Sequence, residues 1–140
     1  MIKKALRDLI VAASAIADEL ATYEFTTGAT KTPAVFTARN IPKDATLPCV
    51  FIKLATTSQF GTRDSKGGEI LADVQLIGNK GQSDKALEDL ATAIWLLLDR
   101  ATLTVSGYVS HGCIADPPIQ TTVTEGYPSH TIQVRAFITQ

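Results

Sequence analysis

Several features that mark particular classes of protein are scarce in this sequence. It has only two cysteines, Cys49 and Cys113; two cysteines do not make the disulfide framework of a small secreted domain, so a reducing compartment is predicted. Basic and acidic residues almost balance, at 13 against 14. Bulk charge therefore favours neither nucleic-acid binding nor attraction to anionic membranes. No apolar run approaches the ~18 uncharged residues of a membrane-spanning helix.

The first twenty residues are basic and then apolar, as in a secretory signal peptide. Arg7 and Asp8 interrupt the apolar run, whereas a signal peptide needs an uninterrupted one. The apolar residues recur at steps of three and four, which predicts an amphipathic helix that stays in the protein. The predicted stripe consists of Ile2, Leu6, Leu9, Ala13, Ile16 and Leu20.

A second helix is predicted from Ser83 to Arg100. Ser83 is placed as its N-cap, and Asp84 is favourable beside the positive end of the helix dipole. Trp95 widens the apolar stripe, so this helix is expected to pack deeply. The stripe otherwise consists of Leu87, Leu90, Ala91, Ile94, Leu97 and Leu98.

Strand signals lie between and after the helices. The near-continuous apolar run Leu47–Leu54 predicts a strand covered on both faces, with Pro48 near its start. The alternating segment Glu69–Gly78 predicts a second strand, and together the two indicate a hairpin with an extended arm. Thr22–Thr32 is predicted to be a connection. Further strands are predicted at Ala34–Arg39, Leu103–Val109, Gln120–Thr124 and Thr131–Ile138.

This order of elements predicts one α+β domain over residues 1–140. Its sheet would be mostly antiparallel, with the two amphipathic helices packed on one face and the hairpin arm extending from it. The arm mixes both charge signs with glycines and one aromatic residue. It is either a mobile surface loop or an arm that orders against a neighbouring subunit. Its candidate interface residues are Phe60, Arg63, Asp64, Lys66 and Glu69.

The loop Gly78–Ser83 joins a predicted strand to a helix N-terminus, where phosphate can bind. It matches neither the Walker pattern nor the dinucleotide pattern, since Lys80 occupies the place of the second glycine in the latter. A plain turn is therefore favoured. Ser110 and His111 do not match a serine-hydrolase elbow, because the glycine spacing is wrong and no helix follows.

Cys49, His111, Cys113 and His130 are potential zinc ligands, but none of their spacings matches a known zinc pair. Glu88 and Asp89 are neighbours on a helix and are best explained as its solvated face. No catalytic, cofactor-binding or metal-binding residues are predicted, and the chain is not expected to be an enzyme.

In its organisation the sequence resembles the tail terminator (tail completion) proteins of long-tailed bacteriophages. The similar features are the opening helix, the strand that begins Leu47-Pro48, and the polar arm. They continue with the strand Ala72–Ile77, which leads through Gly78–Gly81 into the helix Ser83–Arg100, and end with the closing strand Thr131–Ile138.

The resemblance implies a virion protein that forms a hexameric ring on the tail tube, ends tube growth and offers a surface to the head connector. Its partners would be other copies of itself, the tail-tube protein and a head-completion protein. It would be assembled in the bacterial cytoplasm, with DNA passing through the ring but no specific nucleic-acid binding and no cofactor. Alternatives are another head–tail connector or tail-tube subunit, or a small ligand-binding domain that uses Gly78–Ser83.

Overall fold

The computed structural model describes residues 2–24, 28, 30–37, 47–61, 66–78, 84–103, 109–122 and 127–139. Within these ranges the chain forms three helices: α1 (Ile2–Ala12), α2 (Ser14–Ala17) and α3 (Asp84–Leu98). The same ranges contain eight strands: β1 (Thr22–Tyr23), β2 (Thr32–Pro33), β3 (Val35–Phe36), β4 (Cys49–Gly61), β5 (Lys66–Ile77), β6 (Val109–Ala115), β7 (Ile119–Thr122) and β8 (Pro128–Thr139). The predicted α+β class is confirmed.

Six of these strands form the main sheet, in the order β3-β4-β5-β8-β6, with β7 also paired to β8. All neighbours are antiparallel except β3 and β4. β6 lies beside the C-terminal part of β8, where Val109 pairs with Thr139. β7 lies beside the N-terminal part, where Ile119 pairs with Thr131. β6 and β7 therefore share one edge of the sheet, and β3 lies at the other.

One face of the sheet, called the helix face below, carries the main hydrophobic core. Alternation along β5 points Ala72, Val74 and Leu76 to this face, and all three are buried. Side chains of α1 and α3 belong to the same core, so the prediction of two helices on one face is confirmed. The fully buried helical residues are Leu6 and Ile10 from α1, and Leu87, Ile94 and Leu98 from α3.

The opposite face, called the outer face, is covered at the end where β4 begins. A second cluster there includes Phe36 and Phe51, with Tyr23 of β1 packed against it. The Tyr23 and Phe36 rings meet edge to face, with centroids 5.0 Å apart and an angle of 71°. β1 and β2 pair with each other, so the predicted connection contains strand structure. Further along the outer face, Lys53 and Arg135 are exposed.

The hairpin of β4 and β5 is longer than its apolar residues indicate. The ladder continues through polar residues until Gly61 pairs with Lys66. β8 accompanies β5 along this extension, and Thr139 pairs with Gly67. Much of the predicted arm is therefore part of the sheet, because backbone hydrogen bonds form a ladder whether or not the side chains are apolar. Residues 62–65 lie outside the described part.

The N-terminal helix is interrupted at Ala13, which has an extended backbone with φ −83° and ψ 94°. α2 then begins at Ser14, and both Ile10 and Ile16 are buried. The prediction of one uninterrupted helix was wrong at this point. Alanine has the highest helix propensity, so the sequence carries no local signal for the break.

Of the strand predicted at Leu103–Val109, residues 104–108 lie outside the described part; Leu103 is not in a strand, and Val109 is the first residue of β6. A register shift lies between Ser110 and Cys113, and Gly112 within it has a φ of 95°, which favours glycine. This irregularity interrupts the alternation of apolar residues along β6. The segment therefore lacks the pattern by which strands are predicted.

Arg100 follows α3 in the left-handed conformation, with a φ of 62°, and its backbone N–H donates to the Cys113 carbonyl at 2.7 Å. This conformation costs a non-glycine residue about 1 kcal/mol or more. We expect Arg100→Gly to be about 1 kcal/mol more stable than Arg100→Ala, because both remove the side chain and only glycine relieves the strain. Urea unfolding of the two variants measures this difference; equal stabilities would contradict it.

Candidate interaction surfaces

The predicted interface residues of the arm are distributed along the β4–β5 hairpin. Phe60 pairs with Gly67, and Lys66 pairs with Gly61. Glu69 pairs with Ser58 on one side and Phe137 on the other, and it is partly buried. Arg63 and Asp64 lie outside the described residues. A contact of these residues with a neighbouring subunit remains a prediction.

The possible zinc ligands are divided between the two faces of the sheet. Cys49 belongs to the cluster on the outer face, whereas Cys113 belongs to the core on the helix face. These two thiols therefore cannot bind one metal ion. Among the side chains that the structure describes, no group of three or more His, Cys, Asp or Glu residues could hold a metal.

Both thiols are buried, and burial disfavours their charged form. It raises the pKa of Cys49 to about 12 and that of Cys113 to about 11. Since the thiolate is the nucleophile, neither thiol is suited to catalysis near neutral pH.

We expect the folded protein at pH 8 to react very slowly with Ellman's reagent. Both thiols are buried, and because their pKa values are raised they stay protonated at this pH. In guanidinium chloride the same sample should release two equivalents of chromophore, one for each cysteine. Rapid reaction of the folded protein would contradict this account of the thiols.

The loop Gly78–Ser83 is described only at Gly78, whose N–H donates to the Pro128 carbonyl at 2.8 Å. Residues 79–83, including the predicted N-cap Ser83, lie outside the described part. α3 begins at Asp84, next to the predicted position.

A cleft of about 390 Å³ lies on the helix face between α3 and β7. This volume falls within the usual range of small-molecule sites, about 300–1,000 Å³. The cleft is thus a structural candidate for the ligand-binding hypothesis, whereas the loop Gly78–Ser83 lies mostly outside the described residues. The lining residues are Glu88, Thr92, Trp95, Pro117, Pro118, Gln120 and His130.

The C-terminal end of α3 covers part of the sheet edge at β6. The Trp95 indole Nε1–H donates to the Ala115 carbonyl at 2.9 Å, and the Ala115 N–H donates to Asp99 Oδ1 at 3.2 Å. The Arg100 N–H reaches the Cys113 carbonyl. These bonds occupy backbone groups that an added strand would need, so β6 is closed to strand pairing between Cys113 and Ala115.

Three large apolar side chains lie exposed along the β6–β7 edge: Val109 (60%), Ile114 (53%) and Ile119 (65%). Their partners on β8 are Thr139, Arg135 and Thr131. These partners alternate with the buried residues of β8, so all three apolar side chains point to the outer face. We call Val109, Ile114 and Ile119 the edge stripe. The sequence did not single it out, since exposure depends on pairing between distant segments.

No helix among the described residues is both long enough and apolar enough to cross a membrane.

No protein-family model matches the sequence, and no curated protein matches it. Among solved structures, a chain from the virion of a native gene transfer agent (GTA) particle is similar, with a TM-score of 0.69 and 15% sequence identity. The alignment covers 99% of this chain and 95% of that chain. The two chains thus share a fold over nearly their full lengths, and at this identity the similarity shows the fold alone.

Proposed function

We propose that the chain is a structural protein of a phage-like virion, and specifically a tail terminator. The observation that carries this proposal is the similarity in fold to a chain of a GTA virion, which extends over 99% of this chain. The sequence independently resembles tail terminators in the order of its helices, strands and arm. Both observations support a role for the chain in the assembly of a virus-like particle.

In this role the chain forms a ring of six subunits that sits on the last ring of the tail tube. The ring ends growth of the tube and presents a surface to the head connector, so the protein is located at the head–tail interface. A ring needs heterologous contacts, in which one surface patch meets a different patch on the next subunit. Exposed apolar side chains at the β6–β7 edge are suited to such a contact.

The role requires no reaction, and we propose that the chain is not an enzyme. Its two thiols are buried and have raised pKa values. The near-balance of 13 basic and 14 acidic residues suits a ring through which DNA passes without being bound, because a strongly basic lumen would hold phosphates.

An assay of tube growth tests the proposal. The tail-tube protein of the same particle is polymerised with and without this chain, and tube lengths are measured by electron microscopy. A terminator shortens the tubes and adds a single layer at one end. Unchanged lengths and bare ends would reject the proposal.

The same assay distinguishes a tail terminator from the main alternative, which is another connector or tail-tube subunit. A tube subunit polymerises into open stacks, so it would lengthen tubes or form tubes alone.

The cleft beside α3 supports a second alternative, a ligand-binding domain. Trp95 lines this cleft and is the single tryptophan of the chain, so its fluorescence reports on the cleft directly. A saturable change on titration with nucleotides or phosphate would favour this alternative over the structural role.

A further inference from the structure

We draw no further inference here: the strongest candidate, the exposed apolar patch that Val109, Ile114 and Ile119 form on the outer face at the β6–β7 edge, carries none, because nothing in the structure shows what covers it.

Discussion

Leu98→Ala is expected to lower the free energy of unfolding by about 3 kcal/mol. Leu98 is fully buried in the core between α3 and the sheet. Truncation removes its transfer free energy and leaves a cavity that the sheet and α1 can fill only in part, and such changes cost about 2–5 kcal/mol. Urea unfolding of the monomer, followed by far-ultraviolet circular dichroism, measures the loss.

Leu96→Ala is the matched control, since it makes the same chemical change two residues earlier on the same helix. Leu96 is 64% exposed, so the monomer should lose no more than about 0.5 kcal/mol. Similar losses for the two variants would mean that α3 does not pack on the sheet with the face described above.

Trp95→Ala is expected to cost about 2–3 kcal/mol and to make the protein aggregate at high concentration. The substitution removes a partly buried indole and the Nε1 hydrogen bond to the Ala115 carbonyl. An unsatisfied carbonyl costs about 1–3 kcal/mol where it stays buried. Where it becomes exposed instead, β6 offers a free edge to other strands.

Trp95→Phe separates these two causes, because it keeps most of the apolar packing and removes the hydrogen bond. It should cost about 1 kcal/mol. Since Trp95 is the single tryptophan, unfolding must be followed by circular dichroism, and aggregation by light scattering. If both variants remained as stable and as soluble as the wild type, Trp95 would not be the residue that prevents other strands from pairing with β6.

The two long helices and the central strands could be predicted because their signals are local. Spacing of three and four places Leu87, Ile94 and Leu98 on one side of α3. Alternation places Val74 and Leu76 on one face of β5. Each pattern reflects the repeat of a single element and does not require knowledge of its neighbours.

The missed features depend on tertiary contacts. Ala13 breaks α1 although its side chain favours helix. β6 was missed because the irregularity at Gly112 interrupts its alternation. The edge stripe was missed because Ile114 and Ile119 look like core residues in the sequence, and only the pairing with β8 turns them to the outer face.

Residues of an interaction surface were harder to predict from the sequence, because the exposure of a side chain also depends on tertiary contacts. The sequence indicated the arm as a candidate interface because its mixture of Phe60, charged residues and glycines is unusual. The strands continue through much of it, and its role in assembly remains a prediction.

The most direct test of a ring that caps a tail tube is negative-stain electron microscopy of the purified protein over a concentration series, with and without preformed tubes of the same particle. The account predicts closed rings at high concentration, or single caps on tube ends where the tube itself templates the ring. Monomers that leave the tube ends bare at every concentration would contradict it.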